Sequence, residues 1–530
     1  MTEVASFRPL AAILLSFVTI AIVVGAHRHP TVRDGAPIVS AAVTFGLVAS
    51  MVPDVLDGRI PVTELGTLVT GVDLVFRADP LGRIFALVVS SLWVITAIYS
   101  VGYTRASGMD NRTRYTAALC LSIGSGLGVA FASNLLVLVV FYELTTVGTY
   151  PLVAHVATKR ARRVGYEYVG YVIAGGTLAI GGAAIVFALV GTITFVPGGV
   201  PGITDAAVTN RPAVLVAIVA LLAGFAVKAA IMPLHAWLPK AMVAPTTVSG
   251  VLHAVVVVKS GVFGIARTVF EVFGSETTAA LGVATPLAVV AGATIILGSL
   301  LALRQDDLKR RLAYSTVAHL SYVVLGIALL VPAAVVGGLF HIATHAVAKL
   351  ALFFCVGILA VEADVKKVSE VAGIGHRMPL TMGAFAIGAC SLAGLPLFAG
   401  FASKWYLLVG GGQFHPLVSA VLVVSGALNV AYFWPVVYAA FFESPDSANP
   451  KPLIFGPLGG SDTDSSSRTK PATRWHRTII NGAEGRLTLV IPVLVLGGLV
   501  IVLGVAPDSL AVLELARQVT EASVGGLTRD

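Results

Sequence analysis

The sequence predicts an all-α polytopic membrane protein with fourteen transmembrane helices, and three observations carry that expectation. Only 12% of its 530 residues are Asp, Glu, Lys or Arg while 57% are hydrophobic, against about 25% charge in a soluble domain. Mean hydropathy is +0.91. Apolar runs recur from Leu10 to Val505, each close to the ~20 residues needed to cross about 30 Å of hydrocarbon.

Interrupted by polar or Pro/Gly clusters, the runs place helices at 10–26, 36–53, 80–103, 114–131, 133–156, 165–190, 212–239, 246–270, 281–303, 311–331, 333–361, 379–409, 415–442 and 487–506. The first follows one arginine and lacks a small-residue cleavage site, so it reads as a retained helix. The third opens after Ala78-Asp79-Pro80, where the aspartate suits an N-cap. The seventh and twelfth are long for one straight span and contain Pro233 and Pro396, so a break is expected in each. Residues 443–486 are rich in Pro, Gly, Ser and charge, and read as a solvated cytoplasmic loop. The chain then divides into an N-terminal part (1–113), two five-helix units (114–273 and 281–442), that loop, and a last helix with its tail (487–530).

Loop charge sets the orientation. Loops after odd-numbered helices carry twenty-three Lys and Arg; even loops and termini carry eight, with Arg83 and Arg267 among the eight. The positive-inside rule then places odd loops in the cytoplasm and both termini outside, in the inner (plasma) membrane of a prokaryote. That distribution accounts for the net charge of +8 without nucleic acid. Cys120, Cys355 and Cys390 lie singly in apolar runs, so no zinc, iron–sulfur or disulfide framework is expected. Gly124-Ser-Gly-Leu-Gly128 lacks a preceding strand and is no dinucleotide site. No cofactor, metal or catalytic chemistry is read in this chain.

Five ionisable residues fall inside apolar helices: Glu143, Lys228, Lys259, Lys349 and Lys404. Each costs about 2.5–3.5 kcal/mol at a helix centre. One carboxylate cannot pair four lysines, so most of these lysines must be hydrated, neutral or both. Burial favours the neutral amine and a nearby carboxylate the ammonium, so a lysine whose partner moves can load and release a proton. His341, His345 and Lys349 stand at i, i+4 and i+8 on one helix face, spanning about 12 Å. That spacing suits a segment of proton wire. Pro233 follows Lys228, and Pro396 precedes Lys404. Breaks in helices 7 and 12, five helices apart, fit a transporter of two inverted five-helix repeats with half-helix ends facing the ion path.

These residues occur in motifs. They are Phe141-Tyr-Glu-Leu144, Lys228 with Pro233-Leu-His-Ala-Trp-Leu-Pro239, and Ala244-Pro-Thr-Thr-Val-Ser-Gly-Val-Leu-His253 leading to Lys259-Ser-Gly261. Further on come Asp307 through His319, His345 through Leu352, and Ser391-Leu-Ala-Gly-Leu-Pro396 with Ser403-Lys-Trp405. In them the chain resembles the antiporter-like subunits of respiratory complex I and of Mrp-type cation/proton antiporters, a group that includes membrane-bound hydrogenase and inorganic-carbon-uptake subunits. The resemblance implies that Glu143 pairs with Lys228, that Lys259 connects onward, and that Lys404 is the far exit. It implies a central axis of His319, His341, His345 and Lys349, with His235, His253 and Asp79 in support. The polar stretch after Ala506 could not supply further spans, which favours the D-type Mrp protein or a similar fourteen-helix module.

The expected function is therefore proton translocation by one membrane subunit of a larger complex, most like a sodium/proton antiporter. Its partners are other membrane subunits, the lipid bilayer and protons, with sodium crossing through a partner subunit. The alternatives are a proton-pumping subunit of a complex I-like NADH:quinone oxidoreductase, hydrogenase or carbon-uptake complex, or a stand-alone solute permease. Any redox chemistry belongs to partners.

Overall fold

Some helices in this chain start where a side chain accepts from an exposed amide of the first turn. In the computed structural model, which describes residues 1–444 and 484–525, Asp79 accepts from the Gly82 amide at 2.8 Å, Asn134 from Val137 at 2.9 Å, and Thr158 from Ala161 at 3.1 Å. Asp307 accepts from Arg310 at 2.8 Å. The helices are α1 (Arg8–Gly25), α2 (Pro30–Ser50), α3 (Pro80–Ala106), α4 (Arg112–Phe131), α5 (Leu135–Val153), α6 (Lys159–Val190) and α7 (Arg211–Ala229). They continue with α8 (Thr246–Val272), α9 (Ala284–Leu303), α10 (Leu308–Ala328), α11 (Pro332–Glu362), α12 (Pro379–Ala393) and α13 (Ala399–Phe414). The last are α14 (Pro416–Phe442), α15 (Leu487–Val505) and α16 (Val512–Val524). Among the described residues eleven helices are long and apolar enough to cross a membrane. The molecule is a helical, polytopic membrane protein.

Helices α8 and α11 form its centre, buried on all sides, and α3, α7, α10, α12 and α13 pack around them. Outer helices keep apolar faces open, as Val18, Val39, Ile180, Val289 and Val423 show, which is where lipid belongs. Backbones approach closely between α7 and α8. A Cβ on Gly261 would overlap the Ala229 amide nitrogen, so glycine after Lys259-Ser260 lets α8 reach the end of α7.

Three sequence expectations need correction. The fold is not purely helical: β1 (Thr2–Ala5) pairs in parallel with β2 (Arg59–Val69), which pairs antiparallel with β3 (Val72–Arg77). The β-branched and alternating stretch around Thr63 and the Gly71 turn, with φ +81°, carry that signal; a search for long apolar runs passes over it. Arg83 and Arg267 are not loop residues but lie fully buried in α3 and α8. They are held by carbonyls and carboxylates, which makes their burial affordable. The four basic residues Lys159, Arg160, Arg162 and Arg163 form the first turn of α6 and not a loop, because Thr158 caps the helix there. Most of the 443–486 loop and the last five residues of the tail lie outside the described residues.

Candidate functional site

The twelfth apolar run is two helices in space: α12 ends at Ala393 with Gly394 at φ +88°, and α13 resumes at Ala399. The seventh run likewise stops at Ala229, with Ala230 at φ +55°, and only a short turn of helix, Trp237–Lys240, follows Pro233. Each interruption leaves carbonyl oxygens without an amide partner, and a lysine lies beside each.

Lys228 stands in the last turn of α7, fully buried. Its Nζ donates to the Tyr142 carbonyl of α5 and, at 3.0 Å, to Thr145 Oγ1, and it lies 3.5 Å from the centroid of the Tyr142 ring. Glu143 Oε1 is 3.9 Å away. The ammonium is thus held first by neutral oxygens, and the carboxylate stands at the edge of ion-pair range. Glu143 itself is partly open, its side chain 29% exposed, and it lies directly over Gly176 of α6, where a Cβ would overlap its carboxylate.

Lys259 follows a π-helical turn, Val251–Val255, in the middle of α8. Such turns re-aim side chains and recur at functional sites. Its Nζ lies 2.7 Å from His345 Nδ1 on α11. The His345 ring stacks on His319 of α10 at a centroid distance of 5.5 Å. His319 Nδ1 is 3.1 Å from His341 Nε2, and His341 Nδ1 is 2.8 Å from Ser403 Oγ on α13. All three imidazoles are fully buried. Of the three residues spaced along α11, His341 and His345 both pack against His319, and Lys349 bonds across to α10, so the row crosses the bundle from α8 through α11 and α10 to α13.

Lys349 opens a second branch. Its Nζ donates to the Leu312 carbonyl at 3.0 Å and to Ser315 Oγ at 2.7 Å, both on α10. Ser315 Oγ lies 2.9 Å from the Tyr432 hydroxyl on α14, which also contacts Asn429 Oδ1. Asn429 Nδ2 donates to the Leu392 carbonyl at 3.1 Å, and Lys404 Nζ donates to that same oxygen. Lys404 also sits 5.0 Å from the Tyr322 ring centroid.

Not every expected residue joins the row. His253 is fully buried against Phe353, its ring 4.8 Å away, and neither nitrogen has a hydrogen-bond partner among the described residues. His235 is only partly buried, beside Tyr314. Asp79 caps α3 and also belongs to a separate buried cluster. There Arg267 binds it through both terminal nitrogens at 2.9 Å and also reaches Glu271, while Arg77 stands 3.5 Å away. Burial alone would push the Asp79 carboxyl up, but the facing Arg267 and Arg77 more than reverse this and hold it below the usual carboxylate range. Sequence reasoning did not find Thr145, Ser315, Asn429, Tyr432 or the Leu392 carbonyl. Uncharged groups carry no cost that marks them in an apolar helix. The available signal was helical spacing: Ser315 with His319, and Asn429 with Tyr432, share helix faces.

Comparison with known proteins sets this geometry in context. Residues 132–429 match the family described as NADH:quinone oxidoreductase/Mrp antiporter, transmembrane. NADH-quinone oxidoreductase subunit N of Desulforudis audaxviator is 32% identical over 450 residues, covering 82% of each chain. A Na(+)/H(+) antiporter subunit of Alkalihalophilus pseudofirmus is 32% identical over 351 residues, 63% of this chain and 42% of that one. This chain therefore spans less than half of the antiporter relative's length. Among solved structures, the Mrp complex from Dietzia sp. contains a chain that superposes with a TM-score of 0.80 at 23% identity, covering 98% of this chain and 97% of that one. The archaeal membrane-bound sulfane sulfur reductase contains one with a TM-score of 0.81 at 21% identity, covering 98% and 99%. At those identities the likeness is one of fold.

Proposed function

This chain belongs to the NADH:quinone oxidoreductase/Mrp antiporter transmembrane family, and we propose that it is the proton-translocating membrane subunit of a multi-subunit complex of the Mrp type. One observation carries the reading: three fully buried lysines (Lys228, Lys259 and Lys349), a partly buried one (Lys404) and three buried histidines gather at the centre of the bundle, where Lys259–His345 and His319–His341–Ser403 are hydrogen-bonded and joined by the stacked rings of His345 and His319, and a separate hydrogen-bonded run leads from Lys349 through Ser315, Tyr432 and Asn429 to the carbonyl that holds Lys404. A group that holds a charge permanently would be matched with a counter-ion, because an unmatched buried charge is costly. Lys259, Lys349 and Lys404 have neutral partners instead, which suits groups that pass between charged and neutral states.

In this reading Glu143 and Lys228 form the entry pair, Lys259 with His345, His319 and His341 the central axis, Lys349 its side branch, and Lys404 the exit. His235, His253 and Asp79 support packing and hydration around it. The division at 1–113, 114–273 and 281–442, the fourteen crossings, the inverted repeats with breaks at Pro233 and Pro396, and termini outside the plasma membrane all belong to the same proposal. The loop-charge segregation and the two chain interruptions support them. Sodium, which prefers several oxygen ligands, crosses at a partner subunit, since lysines outnumber carboxylates along this row. A membrane potential of 100 mV contributes about 2.3 kcal/mol per charge moved, enough to bias one pair rearrangement.

The test is proton flux by the intact complex reconstituted in vesicles. Glu143→Ala and Lys228→Ala are each expected to abolish coupled transport while the protein still inserts. Normal antiport in the Lys228 variant would refute the assignment. The relative spanning 82% of both chains is a quinone oxidoreductase subunit, which favours a redox-driven pump as the second reading. Redox subunits co-purifying with the chain would select it.

A further inference from the structure

Lys349 and Lys404 lie on different helices and make no direct contact, yet one run of uncharged groups joins them: Ser315, Tyr432, Asn429 and the Leu392 carbonyl. The histidine branch makes no such link. It passes from His341 to Ser403, whose hydroxyl is 3.2 Å from the Gly400 carbonyl of its own helix. The hydroxyl branch ends on an oxygen that Lys404 itself uses.

Its chemistry allows two arrangements. The Tyr432 hydroxyl has one proton and two acceptors within reach, Ser315 Oγ at 2.9 Å and Asn429 Oδ1. When Lys349 is an ammonium it occupies one lone pair of Ser315 Oγ, so the Ser315 hydroxyl can turn its own proton towards Tyr432, and Tyr432 then donates to Asn429. When Lys349 is a neutral amine its nitrogen can accept from Ser315. Ser315 then accepts from Tyr432, and Asn429 Oδ1 loses its donor. Only hydroxyl rotations separate the two, and no proton leaves its oxygen.

The difference is felt at Leu392. A donor bonded to Asn429 Oδ1 polarises the amide and strengthens its own donation to the Leu392 carbonyl. Lys404 competes for that oxygen, which is free of a helical amide because α12 ends there. A charged Lys349 thus loosens the hold on a charged Lys404, and a neutral Lys349 restores it. Like charge on the two would be opposed by their field in any case. The relay adds a contact-dependent link of the same sign. Other ionisable groups within range of Lys349 are Lys259 on α8, His253 on α8 and His319 and His345 of the central row. Those within range of Lys404 are His319, His341 and the Tyr322 phenol. None of these lysines and histidines hydrogen-bonds Tyr432 or Asn429, while Arg311 on α10 faces Tyr432 and donates to its backbone carbonyl at 2.7 Å, leaving the phenol to Ser315 and Asn429.

We propose that Ser315, Tyr432 and Asn429 are positioning residues, a neutral hydrogen-bond relay whose direction is set by the charge on Lys349 and which is read out at Lys404 through the shared Leu392 carbonyl. The proposal rests on the proton-translocating reading, and its test separates the two. Infrared difference spectra of the purified intact complex, recorded between low and high pH, are expected to contain a tyrosine phenol band that reports a change of hydrogen-bond direction. The band should vanish in Tyr432→Phe, and it should also vanish in Lys349→Ala, where the phenol is present but the switching charge is not. In vesicles, Tyr432→Phe and Ser315→Ala should slow proton flux about fivefold, the effect of one neutral hydrogen bond, and Ser315→Thr, which keeps a hydroxyl, should restore it. A band that persists in Lys349→Ala, no Tyr432 band in the unmodified complex, or unchanged flux in Tyr432→Phe overturns the relay. Unchanged flux in Lys228→Ala overturns the translocation reading instead.

Discussion

The two interrupted regions hold a lysine, fully buried at 228 and partly buried at 404, in different ways. Lys228 lies before its break and faces a carboxylate 3.9 Å away, with a backbone carbonyl and a threonine hydroxyl holding it meanwhile. Lys404 lies after its break, has no carboxylate in ion-pair range among the described residues, and shares one carbonyl oxygen with an asparagine amide. The first site is governed by charge and the second by competition for an acceptor. Movement of Glu143 by even an ångström or two changes a Coulomb term in a poorly screened setting. At Lys404 the equivalent control is a rearrangement of neutral donors. An entry that responds to a field and an exit that responds to its neighbours would impose an order on proton movement.

That contrast ranks the expected effects. Among substitutions that keep a side chain of similar shape or size, Lys404→Arg should be the most damaging, because guanidinium keeps a charge that lysine can lose. Flux in vesicles is expected to fall about a hundredfold, and a variant that pumps normally would show that Lys404 need never be neutral. Glu143→Gln keeps the shape but removes the charge, and should slow flux about tenfold by weakening one charge-assisted contact. The same change would barely matter if Lys228 relied only on Tyr142 and Thr145. Gly176→Ala should cost about threefold, since a methyl there displaces the Glu143 carboxylate without altering its chemistry; flux equal to the parent would mean that the position of the carboxylate is unimportant. Asp79→Asn belongs to neither region. It leaves Arg267 with one fewer counter-charge, so it should lower stability by about 3 kcal/mol, read as a lower Tm, with the smallest change in flux per folded molecule.

What could be read from the sequence follows the same division. Glu143, Lys228, Lys259, Lys349 and Lys404 stood out because charge in an apolar helix is expensive, and the structure brings Glu143 to Lys228 and Lys259 to His345. Pro233 alone, and Pro396 with Gly394 and Gly400 beside it, were what suggested breaks in these two runs. The partners of Lys349 and Lys404 were not visible, because Ser315, Asn429 and Tyr432 are unremarkable in a membrane helix until three helices are placed side by side. The sheet formed by Thr2–Ala5, Arg59–Val69 and Val72–Arg77 was missed for a similar reason: its first strand finds its partner more than fifty residues away, the other two form a short hairpin, and none is an apolar run. Of the two carboxylates that hold Arg267, Glu271 is four residues on, but Asp79 lies 188 residues away in the chain, and that pairing could not be read from the sequence.

On the proposed function hydrogen ions cross the middle of the bundle through a lysine and not around it, so Lys259 is the place to test it. Reconstituted complex carrying Lys259→Ala, loaded with a pH-sensitive dye and energised as the parent is, should insert normally and show no coupled proton flux. Flux at the parental rate through that variant would contradict the account, whatever the behaviour of the two ends.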